Sequence, residues 1–405
     1  MASKSASAAS PAGKDMLRVD EARERVAAAL RPLGSEPVGI DDAFGRTLAE
    51  DVRAKTSQPP FATSAMDGYA VRSADHGPRR VIGRAPAGHP YSGKVGEGET
   101  VRLFTGSVVP QGADAVLAQE DARMENDRVH FTAEPVPGKF IRDEGLDFRP
   151  GTLLLGRGKI LSARDLALLA AADFTHAEVT RRPLVALAAT GDELSLPGAP
   201  RKPGGIVASS VHGLKASVRQ WGGDVLDLGI IPDRLDAIAG LANITCDLLV
   251  TAGGASVGDH DLLRAGLSPH GFVLDFWKIA MRPGKPVIFG HVKETPLLGL
   301  PGNPVSTFVC ALLFLKPAIA RMLGRPPQSM QRKARLLGAL PDNGERQSYL
   351  RARKEWKAGE DWVRAFIGQD SSVLSAFSAA DVLIVRPPYT GESREGELVP
   401  ILDLD

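Results

Sequence analysis

The stretch Asp247-Leu-Leu-Val-Thr-Ala-Gly-Gly-Ala-Ser-Val-Gly-Asp-His-Asp261 decides the fold. Its apolar run, Leu248–Thr251, is typical of a short buried strand and stops at Gly253 and Gly254. Glycine takes a positive φ easily and lets a ligand approach the bare backbone, so the pattern predicts a strand followed by a binding loop. An ordinary glycine-rich turn is the alternative. No Lys-Ser or Lys-Thr pair follows the glycines, which argues against a nucleotide-binding loop of the Walker type.

Composition indicates a protein of about two to four domains, because 405 residues exceed one ordinary core. The 49 lysines and arginines nearly balance the 48 aspartates and glutamates, so no binding of nucleic acid or of a membrane surface is expected. Cys246 and Cys310 lie in apolar runs as buried small side chains, which favours a reducing compartment without disulfides. No apolar run reaches the length of a membrane span and no secretory signal opens the chain, so we expect a cytoplasmic protein.

Changes in residue composition and hydrophobic periodicity along the chain predict five regions. Residues 1–14 form an Ala/Ser-rich disordered tail. Residues 15–44 and 148–181 form a helical stem from which 45–147, with short β-like runs between Gly and Pro, is an inserted β-rich domain. Residues 182–325 form an α/β domain with a mostly parallel sheet, and 326–405 form a small C-terminal β domain or barrel of five strands.

Two helices are predicted for the stem. The first has Asp20 as its N-cap and an apolar face of Ala22, Val26, Ala29 and Leu30. The second runs from Ser162 to Ala172, with Ser162 and Asp165 in a capping-box arrangement. We expect these two helices to pack together.

Charged residues follow several strands of the α/β region. Glu193, Asp233, Asp259 and Asp261 come after apolar runs, while Arg282 and Lys285 lie in a loop stiffened by proline and glycine. Strand ends of a parallel sheet meet at one edge, so these side chains are predicted to converge there. Taken singly, each is a solvated loop charge. Together they suit a divalent cation and a phosphate or other oxyanion.

Other candidate positions carry open alternatives. Asp67-Gly68 is a favoured turn pair, and Arg346, Arg351 and Arg353 could face an anion or lie at an exposed strand edge.

Six motifs in this order resemble those of the molybdopterin molybdenumtransferases, a family related to the C-terminal domain of gephyrin. They are Ser64-Ala-Met-Asp-Gly-Tyr-Ala70, Thr105-Gly with Pro110-x-Gly-Ala-Asp-Ala115, Thr190-Gly-Asp-Glu-Leu194, Gly253-Gly-x-Ser-Val-Gly258, Arg282-Pro-Gly-Lys-Pro286 and Gly299-Leu-Pro-Gly-Asn-Pro-Val305.

The resemblance implies a homodimer with four domains per chain and an active site shared between subunits. The α/β domain of one subunit would bind molybdopterin, and Asp67 and Thr105 of the other would complete the site. The implied reaction takes molybdate and adenylylated molybdopterin, uses Mg²⁺, and yields the molybdenum cofactor and AMP.

The implied roles follow the motifs and the chemistry of phosphate transfer. Glu193, Asp233 and Asp261 would bind or organise the metal, and Lys278, Arg282 and Lys285 would hold oxyanions. Implied binding positions for the pterin phosphate and its surroundings are Gly253, Gly254, Ser256, Gly258, Pro301, Asn303, Pro304, Arg142, Asp147 and Ser371. For Arg142 and Asp147 a structural ion pair is an equal alternative. Contacts with other cofactor-biosynthesis proteins and with acceptor molybdoenzymes are also implied.

Several residues depart from the family pattern. Ala252 and Ala255 flank the paired glycines where Ser and Val are usual, and Arg282 replaces Lys. Ser210 stands where an Asn is usual, so a ligand-facing amide would be missing. This change leaves open a homologue that binds pterin or scaffolds a partner without turnover, and an enzyme that inserts tungstate is a further alternative. Phe140 and Ala379-Ala-Asp-Val382 also differ from the usual residues.

Overall fold

The computed structural model describes residues 16–254, 262–327, 331–357 and 359–404, so the predicted tail at 1–14 lies outside the described residues. The chain divides into two compact units. The inserted unit is Pro37–Val179, and the main unit comprises Met1–Glu36 and Thr180–Asp405.

The first described elements are helix α1 (Val19–Ala28) and strand β1 (Ser35–Gly39). Val19, Ala22 and Val26 of α1 are buried in the core of the main unit. The predicted N-cap is wrong, because Asp20 lies inside the first turn. The Ala22 N–H donates to the Arg18 carbonyl and so starts the helix before Asp20, whose charge there still favours the helix dipole.

The inserted unit is rich in β-structure, as predicted. Its strands are β2 (Val52–Arg53), β3 (Thr63–Ser64), β4 (Gly68–Val71), β5 (Arg79–Ala85), β6 (Glu99–Leu103), β7 (Ala115–Ala118), β8 (Ala122–Glu125), β9 (Arg128–Phe131), β10 (Ile141–Arg142) and β11 (Leu153–Leu155). Short 3₁₀ turns lie at Ile40–Asp42 and Gln119–Asp121. Six strands form one sheet in the order β7-β4-β6-β5-β9-β8, in which β5 and β6 are parallel.

Helix α2 (Ala163–Ala171) follows, and then strand β12 (His176–Thr180), which pairs with β1. The predicted capping box is confirmed, since the Ser162 N–H donates to the Asp165 carboxylate at 2.8 Å. Leu169 of α2 is buried with Leu48 and Leu161 in a core of the inserted unit. The two predicted stem helices bury their apolar faces in different cores, α1 in the main unit and α2 in the inserted unit.

The main unit continues as alternating strands and helices, as predicted. They are β13 (Leu184–Thr190), β14 (Leu194–Ser195), β15 (Ile206–Val207), α3 (Ser209–Gln220), β16 (Asp224–Ile231), α4 (Leu235–Gly240), β17 (Leu248–Ala252), α5 (Leu262–Leu267), β18 (Phe272–Lys278), β19 (Met281–Arg282), β20 (Pro286–Val292), β21 (Thr295–Leu300), α6 (Pro304–Cys310) and α7 (Lys316–Met322). Short 3₁₀ turns follow α4 at Leu241–Asn243 and α5 at Ser268–His270.

A six-stranded sheet in the order β16-β13-β17-β21-β20-β18 organises this region. The first four strands are parallel, and β20 is antiparallel to both of its neighbours. Because β20 reverses direction, β18 runs the same way as β21. The carboxyl ends of five strands therefore meet the start of β20 at one edge, which we call the carboxyl edge.

Helices α6 and α7 join through a π-helical segment, Ala311–Leu315, into one helix that extends to Met322. The wider π turn accommodates Pro317, which has no N–H to donate. At 19 residues with a mean hydropathy of 1.6, this helix is long and apolar enough to span a membrane, so the expectation that no such run exists is wrong. However, 72% of its apolar window is buried inside the protein, as in a core helix.

The C-terminal part is a closed barrel, as predicted. It contains β22 (Gln331–Leu336), β23 (Gln347–Lys357), β24 (Glu360–Ala365), helix α8 (Leu374–Ser378), β25 (Val382–Arg386) and β26 (Leu398–Asp403). Pairing runs β23-β24-β22-β26-β25 and returns to β23. Strand β19 adds to this barrel, with Arg282 opposite Ser348 of β23. The barrel thereby positions a loop of the carboxyl edge.

Candidate active site

The paired glycines lie at the carboxyl edge, directly after β17. Gly253 has φ 101° and Gly254 has φ 67°, a backbone region that other residues rarely adopt. A Cβ on Gly253 would stand 2.5 Å from the Thr190 carbonyl oxygen. The Thr190 Oγ1 is itself buried and has no hydrogen-bond partner among the described residues. Gly253, Gly254 and Thr190 at the end of β13 thus form a tight cradle, in which the Thr190 hydroxyl lacks a hydrogen-bond partner among the described residues.

The end of a third strand, β21, closes this cradle. The Gly253 N–H donates to the Leu300 carbonyl of β21 at 3.0 Å. Pro301, Asn303 and Pro304 follow directly, as the loop that leads into α6.

The predicted carboxylates Glu193 and Asp233 follow adjacent strands, β13 and β16. The Asp233 N–H donates to Asp192 Oδ1 at 3.1 Å, which ties one strand-end loop to the other. The exposed Glu193 carboxylate accepts no hydrogen bond from a described residue, so it is available to a cation or a ligand.

The rest of the predicted acidic loop, with Ser256, Gly258, Asp259 and Asp261, lies outside the described residues. Among the residues the structure describes, no group of three metal-ligating side chains forms. The metal assignment to Glu193, Asp233 and Asp261 therefore stays a prediction.

A cavity of about 270 Å³ opens beside the cradle. Three cationic side chains, Arg282, Lys285 and Arg346, line it together with the hydroxyl-bearing Ser306 and Ser371. None of the three cations forms an ion pair with a described residue. Asp370 also lines the cavity, so three cations face one carboxylate, and this net positive charge with the hydroxyl donors suits a small oxyanion.

The Arg282–Lys285 loop is packed firmly against helix α6. Gly284 approaches Cys310 so closely that a Cβ there would overlap the Cys310 sulfur. The Lys285 carbonyl accepts a hydrogen bond from the Ile279 N–H at 3.0 Å, which fixes the loop at its other end. Its exposed side chains are therefore presented from a rigid backbone.

Ser371 joins the cavity to the cradle. Asn303 Nδ2 donates to Ser371 Oγ at 3.1 Å, and the Val305 N–H donates to the Ser371 carbonyl at 3.1 Å. The structure thus brings together the Pro301–Pro304 loop and the C-terminal serine.

Arg351 does not line the cavity but holds the loop segment that carries Ser371. Only 1% of Arg351 is exposed. Its guanidinium donates to the carbonyls of Gly368 at 3.0 Å and Val373 at 3.1 Å, and to the Gln369 side chain at 3.3 Å. Of the three arginines considered for an anion, Arg346 lines the cavity, Arg351 is buried, and Arg353 is exposed beside Phe366.

Lys278 ends β18 at the carboxyl edge and is half-buried. Its Nζ lies 3.9 Å from the centre of the Trp277 ring, and Lys278 is not among the residues that line the cavity. Ser210, the departure from the family pattern, lies in the first turn of α3 and is 8% exposed.

In the inserted unit, Asp67 and Thr105 form a hydrogen-bonded pair. Asp67 Oδ1 accepts the Thr105 N–H at 2.7 Å and the Thr105 hydroxyl at 2.8 Å. The Thr105 backbone and side-chain hydrogen bonds, together with the nearby charge of Arg102, lower the pKa of Asp67. The carboxylate is therefore ionised at neutral pH.

Arg142 and Asp147 also lie in the inserted unit. Arg142 pairs with Thr63 across β10 and β3, and the Asp147 N–H donates to the Gln58 carbonyl at 2.9 Å. No ion pair joins their side chains within this fully described unit, so the structure does not favour the ion-pair alternative.

Comparison with known proteins assigns the chain to a family. Three family models match it in order, described as MoeA N-terminal region (domain I and II) at residues 17–172, probable molybdopterin binding domain at 186–321, and MoeA C-terminal region (domain IV) at 333–404. A molybdopterin molybdenumtransferase of Haemophilus influenzae is 33% identical over 95% of this chain and 98% of its own length. The chain belongs to the molybdopterin molybdenumtransferase family.

Other members of this family of enzymes agree with that assignment. The Bacillus subtilis molybdopterin molybdenumtransferase is 34% identical over 95% of this chain and 93% of its own length. A gephyrin of Dictyostelium discoideum is 29% identical over 90% of this chain and 58% of its own length. A crystal structure of a molybdopterin biosynthesis moea protein from Pyrococcus horikosii superposes with a TM-score of 0.86 at 30% identity, covering 96% of this chain and all of that one.

Sequence reasoning missed several residues of this family member's cavity and cradle. Asp192 was quoted within the Thr190–Leu194 motif, yet its link to Asp233 depends on two strands being neighbours in the sheet. Ser306 and Asp370 each lie next to a residue that the motifs identified, so local sequence offered a signal. Thr190 opens the same motif as Asp192, yet its part in the cradle is visible only through its buried hydroxyl, which has no partner among the described residues.

Proposed function

We propose that the chain inserts molybdate into adenylylated molybdopterin in a Mg²⁺-dependent reaction that releases AMP and forms the molybdenum cofactor. The observation that carries the proposal is the cavity lined by Arg282, Lys285 and Arg346, none of which is paired to an acid among the described residues. Family membership supplies the reaction class.

Molybdate fits this cavity by charge and by donors. It is a tetrahedral dianion, and guanidinium, ammonium and hydroxyl groups hold such anions through charge-assisted hydrogen bonds. Ser306 and Ser371 add hydroxyl donors to the three cations. Tungstate has the same charge and shape, so the same wall would accept it.

The cradle at Gly253 and Gly254 would receive the phosphate end of the pterin substrate. The Gly253 N–H already donates to the Leu300 carbonyl, so the phosphate would be received by the Gly254 N–H and by the buried Thr190 hydroxyl, which has no partner among the described residues. Asn303, held against Ser371, would set the distance between this phosphate and the oxyanion in the cavity. Lys278 would hold a phosphate oxygen at the same edge.

We propose that carboxylates at the ends of β13 and β16 would hold a magnesium ion. Mg²⁺ in phosphate-transfer sites is held by one or two carboxylates together with substrate phosphates and water, and Glu193 offers an exposed carboxylate with no described partner. Glu193, Asp233 and Asp261 would hold the ion. Bound there, it would neutralise charge that develops on phosphate oxygens as AMP leaves.

Completion of the site would require a second copy of the chain. Asp67 and Thr105 form a prearranged carboxylate and hydroxyl pair in the inserted unit, and we propose that they serve the carboxyl edge of a partner subunit in a homodimer. The lowered pKa keeps the Asp67 carboxylate charged, so it would orient the substrate or the metal by electrostatics and hydrogen bonding.

The location is proposed to be cytoplasmic, where adenylylated molybdopterin would be handed on from other cofactor-biosynthesis proteins and the product passed to acceptor molybdoenzymes. Cys246 and Cys310 are free thiols, and burial raises the pKa of the Cys246 thiol to about 11. Unreactive thiols of this kind suit a reducing compartment.

Release of AMP tests the reaction. The purified chain, mixed with adenylylated molybdopterin, Mg²⁺ and molybdate, should release AMP, and tungstate in place of molybdate tests anion selectivity. Lys285→Ala should raise the molybdate concentration for half-maximal release about tenfold, because one charge-assisted contact is lost.

The matched control for that substitution is Lys333→Ala, an exposed lysine of β22 outside the cavity, which should leave the molybdate dependence unchanged. Tight binding of the pterin without AMP release above an Asp261→Ala background would contradict the proposal and would favour a binding homologue.

A further inference from the structure

Arg102 occupies a central place beside the Asp67–Thr105 pair of the inserted unit. It lies on β6, opposite Tyr69 of β4. Its NH1 donates to the Gly68 carbonyl at 2.9 Å, and its NH2 donates to the Gln119 side chain. The Gln119 N–H in turn donates to the Asp67 carbonyl at 3.0 Å. Arg102 therefore contacts Gly68 directly and Asp67 through Gln119, in addition to the pairing of Gly68 with Leu103 and Ala118 in the sheet.

Two aromatic rings hold the guanidinium in place. Its central carbon lies 5.0 Å from the centre of the Tyr69 ring and 5.1 Å from that of Phe104. Tyr69 is itself fixed by an edge-on contact with Phe131 at 5.5 Å. Phe104 directly precedes Thr105, so one guanidinium touches the chain on both sides of the carboxylate and hydroxyl pair.

The two oxygens of Asp67 are used differently. Oδ1 accepts both hydrogen bonds from Thr105, whereas Oδ2 accepts none from any residue of this fully described unit. An ionised carboxylate has lone pairs at both oxygens, so Oδ2 remains able to bind a substrate donor or a cation. Its direction depends on the backbone at Asp67 and on the Thr105 loop.

We infer that Arg102 is a positioning residue for the reaction, which fixes Asp67 at the start of β4 and the Phe104–Thr105 loop so that Asp67 Oδ2 is held ready for substrate. The inference rests on the proposed function, because it gives Asp67 a role in turnover. The guanidinium supplies a fork of donors and a flat stacking surface, and an ammonium group supplies neither.

Electrostatics gives a second consequence. The charged side chains around this face are Arg102 on β6, Arg84 on β5, which stacks on Phe104 at 5.8 Å, and Glu120, which accepts from Gln119 at 3.3 Å. Among the causes of the low pKa of Asp67, Arg102 is the charged group. Loss of that charge raises the pKa of Asp67, so the acid limb of any activity that needs the carboxylate moves to higher pH.

The test compares Arg102→Met, Arg102→Lys and a control, Arg84→Met, in the full-length protein. We expect Arg102→Met to lower kcat for AMP release about tenfold or more with little change in KM, because a misdirected group costs mainly the chemical step. Its acid limb should move to higher pH. Arg102→Lys should lose kcat in the same way while its acid limb stays near that of the wild type. Arg84→Met removes the other guanidinium that stacks on Phe104. It should change neither kcat nor the pH of the acid limb.

A titration of the Asp67 carboxyl by carbon-13 NMR, assigned with Asp67→Asn, separates the two proposals because it needs no turnover. A raised pKa in folded Arg102→Met, with no AMP release even from the wild type, would leave the positioning geometry standing and overturn the proposed reaction. An unchanged Asp67 titration together with an unchanged kcat in Arg102→Met would overturn the role of Arg102. If Arg102→Met fails to fold, a wild-type kcat in Arg102→Lys would overturn that role equally.

Discussion

At position 253, two constraints favour glycine over every other amino acid. Its φ of 101° is outside the range of most L-residues, and a Cβ would stand 2.5 Å from the Thr190 carbonyl oxygen and 2.9 Å from its hydroxyl. Gly253→Ala should therefore lower the free energy of unfolding by about 1–3 kcal/mol and widen the cradle against β13. Chemical denaturation measures the first effect, and the pterin-dependent KM for AMP release measures the second.

Gly240→Ala is the matched control for that substitution. Gly240 ends α4 with φ −56°, and a Cβ there would meet nothing within 4 Å. Alanine should be neutral or stabilise the helix by up to about 1 kcal/mol. Equal stability of the Gly253 and Gly240 variants would show that the tight approach to Thr190 does not exist in solution.

At the residue scale, the sequence identified the groups that motifs and glycine spacing reveal. It paired Asp67 with Thr105 only through a family resemblance, since 38 positions separate them. The sequence did not reveal that Arg351 is buried while Arg346 lines a cavity. Alternation along a strand shows which side chains share a face of the sheet, but it does not show which other elements cover that face.

At the scale of elements, the loop from Phe366 to Val373 is held on two sides. Arg351 donates to three of its members from the barrel, and Ser371 is bound from the start of α6. Arg351→Met should lower the free energy of unfolding by about 2–3 kcal/mol, because the buried guanidinium and its charge-assisted hydrogen bonds to this loop are lost. It should also weaken molybdate binding, since Ser371 is carried on this loop.

Hydrogen exchange of residues 366–373 is the direct measurement, and those amides should exchange faster in the variant. Arg353→Met provides the control, because Arg353 is exposed on the same strand, and its guanidinium lies 6.0 Å from the centre of the Phe366 ring without a hydrogen bond to any described residue of this loop. Unchanged exchange in folded Arg351→Met, with unchanged molybdate dependence, would contradict the supporting role.

Most elements were predictable because their signals are local. The apolar run at Leu248 and the runs that precede Glu193 and Asp233 became parallel strands, and the Ser162–Asp165 capping box started α2. Three features depend on tertiary context and were not foreseen. They are the antiparallel turn of β20, the addition of β19 to the barrel, and the continuation of the Pro304–Met322 helix past Pro317 through a π segment.

At the scale of the whole molecule, the proposed chemistry is divided between two units of the chain. The main unit contains the cradle and the cavity, whereas the inserted unit contains the Asp67–Thr105 pair. The resemblance placed these groups in one site shared by two subunits. A division of this kind makes activity depend on which subunit carries which defect, and that dependence can be measured.

Mixing two defective variants tests the shared site, at a molybdate concentration well below the half-maximal value of the wild type, where Lys285→Ala alone keeps only about a tenth of wild-type release. Asp67→Ala and Lys285→Ala, mixed and allowed to exchange subunits, should regain about a quarter of wild-type AMP release, because half of the dimers are mixed and each contains one intact site. Lys285→Ala mixed with Arg346→Ala, both altered in the main unit, should regain nothing. Mixed dimers seen by native mass spectrometry without regained activity would place Asp67 and Lys285 of one chain in the same site, and a monomer in sedimentation would rule out sharing altogether.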